Sequence, residues 1–127
     1  MKKAYLHILI LLFTCISCSD RKLGNDYYYL PKYESIDVGY PDSEAIVYKS
    51  NQEYVFNDIK IRGDVLEVDF NSKYIIIKRD PLISRDENSG IIEYYIIEKK
   101  SDKIFGPMTE NDFDKKIVEL NINLEFE

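Results

Sequence analysis

A chain of 127 residues with 17 Lys and Arg against 23 Asp and Glu has room for one domain of ordinary size and carries a formal net charge of −6. So acidic a chain repels phosphate backbones and anionic lipid, which excludes nucleic acid as a partner and a basic patch as the means of membrane attachment. The only histidine is His7, the only cysteines are Cys15 and Cys18, and tryptophan is absent.

All three of those reactive residues fall in an N-terminal segment built like an export signal. Met1-Lys2-Lys3 supplies a positive start, Ala4 to Phe13 an apolar stretch, and Thr14 to Cys18 small residues broken by Ile16. The apolar run ends at Ile16, short of the roughly 20 residues a bilayer-spanning helix needs, and His7 interrupts it. Ile16-Ser17-Cys18 resembles the lipobox of bacterial lipoproteins, in which a small residue precedes a cysteine that is lipidated and becomes the new N-terminus; Cys15 stands where that pattern prefers Leu. The expectation is a signal peptide over residues 1–17, lipidation at Cys18, a polar tether over 18–25 and a single domain over 26–127. Plain secretion with cleavage near Ser17 is the alternative. Loss of Lys2 and Lys3 leaves 15 Lys and Arg against 23 Asp and Glu, a balance of −8. Several acyl chains on Cys18 would hold the domain at a membrane, since each buried methylene contributes about 0.8 kcal/mol.

Past the tether, Tyr27-Tyr28-Tyr29-Leu30-Pro31 reads as an extended segment at a sheet edge, because Pro31 forbids a regular helix. Short β-rich runs then alternate with turn residues: Ala45 to Lys49, Glu53 to Phe56, Ile59 to Arg62, and Asp64 to Phe70. In the last of these, Leu66, Val68 and Phe70 alternate with Glu67 and Asp69, which predicts one buried and one wet face. Tyr74 to Ile77 and Ile91 to Ile97 are apolar on both faces and are predicted to be central strands, joined by a polar loop over Asp80 to Gly90. Lys103 to Gly106 forms another strand, stopped by Gly106-Pro107. Thr109 and Asp112 fit a helix cap, and Phe113, Ile117 and Leu120 recur at helical spacing. Ile122, Leu124 and Phe126 suggest a last short strand. The fold class expected is α+β, an antiparallel β-meander sheet with one C-terminal α-helix packed on one face.

With no imidazole and no thiol beyond Cys18 in the mature chain, a Ser or Cys nucleophile of the usual kind, a zinc site and a disulfide all lack their parts. Five scattered glycines make no phosphate-cradling loop, so no nucleotide cofactor is expected. Glu67 and Asp69 share a strand face and could in principle serve a carboxylate-based hydrolase, but acids at that spacing on a wet sheet face are ordinarily just solvated. Asp86-Glu87-Asn88-Ser89-Gly90 loosely matches the start of a calcium loop, yet Ile97 stands where the bidentate Glu belongs; a hairpin loop explains it. Arg62-Gly63-Asp64 is ordinary turn chemistry between strands. No catalytic residue, metal ligand or cofactor is expected.

Tyrosine is the one feature that suggests recognition. There are eleven, and Tyr27, Tyr28, Tyr29, Tyr33, Tyr40 and Tyr94 are the candidate partner-binding residues, since Tyr joins apolar area to a polar tip. The competing expectation is that the Tyr27 to Phe56 segment packs on the face of the central strands that the helix leaves bare, the face carrying Ile92, Tyr94 and Ile96.

From Tyr27 onward the chain resembles a family of small uncharacterised bacterial lipoproteins known as a domain of unknown function. The resemblance rests on YYYLP, on KYIIIKR, and on YYIIEKKSDKIFGPMTENDFDKKIVEL, where similar proteins carry a strand, a lysine-rich turn, an aromatic-Gly-Pro and a closing helix. It implies a cell-envelope address and a compact α+β domain, with no catalytic residue to carry over. The expected function is therefore a non-enzymatic, lipid-anchored envelope lipoprotein that binds a protein or an envelope polymer. The alternative is an inhibitor or immunity-type protein that masks an exported enzyme.

Overall fold

The structure is a computed structural model and describes residues 22–35, 38, 40 and 44–127. The signal peptide and Cys18 lie outside the described residues. Among the described residues ten strands, a 3-10 turn at Lys32–Glu34 and one α-helix occur, the strands and α-helix being in chain order β1 (Lys22–Gly24), β2 (Tyr27–Leu30), β3 (Ile46–Lys49), β4 (Ile59–Ile61), β5 (Val65–Phe70), β6 (Tyr74–Arg79), β7 (Leu82–Ser84), β8 (Glu87–Asn88), β9 (Glu93–Glu98), β10 (Lys103–Met108) and α1 (Glu110–Glu119). Every pairing is antiparallel. The fold is α+β.

Where one sheet was expected, the strands make two of four strands each, ordered β1-β2-β3-β4 and β10-β9-β6-β5, with β7-β8 as a separate hairpin. The reason lies in β6 and β9. Ile75, Ile76, Ile77, Ile96 and Ile97 are all fully buried, so both faces of these central strands need a cover. Ile75, Ile77, Tyr95 and Ile97 pack against Leu23, Tyr27, Val47 and Ile61 of the first sheet. Ile76, Tyr94 and Ile96 pack instead under Phe113 of α1 and Ile122 of the tail. At about 1.5–3 kcal/mol for each large aliphatic side chain buried, this double cover is the main source of stability.

The first sheet thus covers the bare face of the central strands, as the competing expectation had it, but the faces are exchanged. The helix takes Tyr94 and Ile96, and the Tyr27 to Phe56 segment takes Tyr95 and Ile97. The outer face of the first sheet is closed by its own connections: Leu30, Tyr40, Ile46 and Tyr48 are buried with Phe56 against them.

Five local expectations need correction, the last of them in the C-terminal tail. The chain is already a strand at Lys22, with Leu23 fully buried, so Ser19 to Asn25 is not all tether. Glu53 to Phe56 turns rather than pairs; Tyr54 has φ 67°, and Phe56 leaves to pack edge-on to Tyr40 and Tyr48. Strand β5 breaks register between Val65 and Glu67, so Leu66 falls at the break and is exposed, while Val65 and Val68 reach the core between the sheets; Phe70, on the same face as Val68, lies at the strand's end under the Lys99 amine. Gly106-Pro107 does not end β10; it sits in the register break between Phe105 and Met108, on an edge strand where a missing N–H is tolerated.

The helix begins as its cap predicts, with Thr109 Oγ1 accepting the Asp112 N–H at 3.2 Å. It ends in a Schellman motif: Asn121 is left-handed at φ 54°, its N–H donates to Val118 O, and the Ile122 N–H donates to Ile117 O. That reversal makes the tail a coil, not a strand, and lays Ile122, Leu124 and Phe126 on the helix-side core.

Candidate functional site

The six candidate tyrosines do not assemble into one surface. Tyr27 lies between the sheets and donates to Asp102. Tyr40 is buried and donates to Glu44 Oε1 at 2.6 Å, and Tyr94 is stacked under Phe113 at 5.0 Å. All three are buried, Tyr27 and Tyr94 on strands that are covered on the face they occupy and Tyr40 in the connection that packs on the outer face of the first sheet. Tyr28 is stacked on Tyr48, and Tyr33 is 74% exposed. Tyr29, half-buried, reaches the wall of a groove.

That groove, of about 410 Å³, runs between the edge strand β5 and the end of the chain, and is lined by Tyr29, Glu67, Val68, Asp69, Phe70, Glu125, Phe126 and Glu127. Its geometry follows from two elements already described. Strand β5 pairs with β6 on one side only, so its other backbone edge faces the groove. The Schellman turn at Asn121 sends the tail back across the sheet, where Phe126 anchors it on Tyr94 and Phe113 at 6.1 and 5.6 Å. The Glu125 N–H then donates to Asp69 Oδ2 at 3.4 Å, which closes the groove's far wall.

Four carboxylates and three aromatic rings line this space, with Lys78 3.7 Å from Glu67 and the Lys99 amine 5.2 Å from the centre of the Phe70 ring. Negative charge beside aromatic faces and an open strand edge is the chemistry that holds a cationic, extended chain. Glu67 and Asp69, singled out from sequence as a pair, do meet here, but one faces an amine and the other accepts a backbone N–H. Glu125 and Phe126 could not be joined to them from sequence, because only the helix terminus dictates where the tail lies. Among the described residues no three His, Cys, Asp or Glu could hold a metal ion.

Two further polar clusters fasten the sheets together. Glu44 and Asp64 are buried where the chain crosses from β4 to β5. Glu44 accepts from Tyr40, from Arg62 Nε at 3.0 Å and from the Gly63 N–H at 3.2 Å. Asp64 accepts from the Ala45 N–H at 3.0 Å, Asn88 Nδ2 at 3.2 Å and Lys32 Nζ at 3.3 Å. A Cβ on Gly63 would lie 2.5 Å from the Glu44 Cβ, so only glycine fits this crossing. Arg62-Gly63-Asp64 is thus an interior junction. At the opposite end Lys99 is buried, its amine donating to Leu23 O and, at 2.6 Å, to Asn71 O; burial pushes that amine below the ordinary lysine value. Nearby, burial works against the charge of Asp102, but hydrogen bonds from Lys60 and Tyr27 outweigh it and hold the carboxyl below its usual range.

The profile of a family of proteins of unknown function, DUF3997, matches residues 27–127. The chain belongs to the DUF3997 family. Neither a curated protein nor a solved structure matches it. The DUF3997 match begins at β2 and spans both sheets and the helix, so the groove lies wholly within the family's domain, and β1 precedes it. Among the described residues no helix of this DUF3997 chain is long and apolar enough to cross a membrane.

Proposed function

We propose that this protein is a lipid-anchored cell-envelope binding module, non-enzymatic, that takes a cationic extended segment of a partner protein along β5. The observation that carries the binding role is the groove: carboxylates from Glu67, Asp69, Glu125 and Glu127 flank Phe70 and Phe126 beside an unpaired strand edge. The anchor rests on Met1 to Cys18, whose order of charge, apolar run and small residues before a cysteine is that of a lipoprotein signal. The acidic groove equally favours a narrower form of this role, an inhibitor that masks a basic exported enzyme, and the partner's identity separates the two.

The binding role is tested with an oligolysine peptide titrated against the protein, with oligoglutamate as control. Oligolysine binds and weakens with added salt. Glu125→Gln combined with Glu127→Gln weakens it about three- to tenfold, as two rim charges should. Equal affinity for both peptides overturns the reading. For the anchor, Cys18→Ser moves the protein from the membrane to the soluble fraction; retention of the variant in the membrane refutes lipidation.

A further inference from the structure

Strand β1 gives the domain an orientation relative to whatever holds its N-terminus. Lys22 pairs with Tyr28 and Gly24 with Tyr27, so the chain runs into β1 from the Leu30 end of the first sheet and leaves it at the Tyr27 end. Cys18 stands four residues before Lys22, and four residues reach at most about 14 Å at full extension. An acyl anchor there draws the Leu30 end toward the bilayer and points the Lys99 to Asp102 end away from it.

Among the described residues, three of the four most exposed large apolar side chains also stand at the Leu30 end. Tyr33 is 74% exposed, Ile83 62% and Ile91 72%. All three stand next to groups fastened to one junction. Lys32 donates to Asp64 at 3.3 Å, the Leu82 N–H donates to Gly63 O at 3.0 Å, and the Ile91 N–H donates to Ser89 Oγ, which itself donates to Asp80. Asp80 and Asp64 exchange backbone hydrogen bonds at 3.0 Å. The β7-β8 hairpin therefore stands beyond the Arg79 and Glu93 end of the second sheet, on the side from which the chain arrives. Charges of both signs stand beside these apolar residues along the chain, Lys32 and Glu34 flanking Tyr33 and Arg85, Asp86 and Glu87 following Ile83, so attraction to anionic lipid is not what this end offers. It offers two isoleucines and a tyrosine, and tyrosine is a residue of the membrane interface.

We propose that Tyr33, Ile83 and Ile91 form a membrane-facing tip that rests in the lipid interface beside the acyl anchor and fixes the domain's orientation. This rests on the lipid-anchor reading above. The groove along β5 then stands on the flank of the domain, open to a partner in the aqueous space.

The test uses the native, processed lipoprotein reconstituted in phosphatidylcholine vesicles, with spin labels at Ile83→Cys, Ile91→Cys and, as a control at the far end, Ser101→Cys. No other cysteine lies after Cys18, so each label is unique. Labels at 83 and 91 are expected to relax severalfold more with lipid-dissolved oxygen than with a water-soluble nickel chelate, and the label at 101 the reverse. Adding Tyr33→Ser to a protein labelled at 91 is expected to reduce its oxygen contact while the protein still floats with the vesicles. Equal water exposure at 83, 91 and 101 in protein that floats overturns the tip and leaves the anchor standing. Protein that does not float overturns the anchor, and the tip with it.

Discussion

At the level of single residues, the junction between β4 and β5 concentrates the largest consequences in the smallest space. Asp64 satisfies a backbone N–H, an amide and an amine at once, while Gly63 yields the volume that Glu44 occupies. Asp64→Ala is expected to cost about 2 kcal/mol in urea unfolding, because it leaves the buried Ala45 N–H without its acceptor. A loss under half that size would mean that solvent reaches the junction. This cluster was invisible in the sequence, where Arg62-Gly63-Asp64 reads as a turn: nothing local says that a turn crosses from one sheet to another and is buried there. The tyrosines show the converse. Residue type alone grouped them, but Tyr27 and Tyr29 point one way from β2 while Tyr28 points the other, and Tyr94 belongs to the helix side.

Among the elements, those defined by local chemistry were legible. The cap at Thr109 and the stripe of Phe113, Ile117 and Leu120 gave the helix, and the two-sided apolar runs gave β6 and β9 as central strands. Elements defined by what lies opposite them were not. Leu23 sits in a polar context and is a core residue only because β1 pairs with β2, and Leu66 is lost from the alternation with Val68 and Phe70 by one register break. The alternation in the tail was read as a strand because it could not reveal the left-handed Asn121 ahead of it. Asn121→Val is expected to cost about 1 to 2 kcal/mol, since a β-branched residue resists that conformation, whereas Asn121→Gly is tolerated. Thermal unfolding of the two variants checks this; equal midpoints would show that the tail packs without the Schellman turn. Half of the groove depends on the same residue, so Asn121→Val is also expected to weaken oligolysine binding.

For the whole molecule, the buried phenols govern behaviour in base. Burial raises Tyr27, Tyr94 and Tyr95 above their ordinary value of 10.0 and pushes Tyr48 up to about 12. An acid whose folded-state pKa is raised keeps its proton after the unfolded chain has lost it, so the stability it lends is complete below pH 10.0 and declines as pH climbs above that. Lys60, whose amine is desolvated but held above its ordinary value by Asp102 and Asp58, adds a loss of the same sign as pH rises through the range above 10.5. Lys99 acts oppositely, because a base with a depressed value favours folding more as pH rises toward 10.5. Four phenols and one amine against one amine predict net alkaline unfolding, with tyrosinate absorbance and loss of β-sheet circular dichroism moving together. A single tyrosinate titration with its midpoint near pH 10 and the sheets intact would contradict the burial described above.

The short first strand also decides how the molecule bears a load. Leu23 is a peg set between the sheets, its carbonyl clasped by Lys99, and tension from the leading segment runs along β1 rather than across it. A tug of that kind meets the rungs to β2 together, as in a lap joint, instead of parting them one after another. The edge that would otherwise be the first to peel is thereby suited to serve as the mooring point.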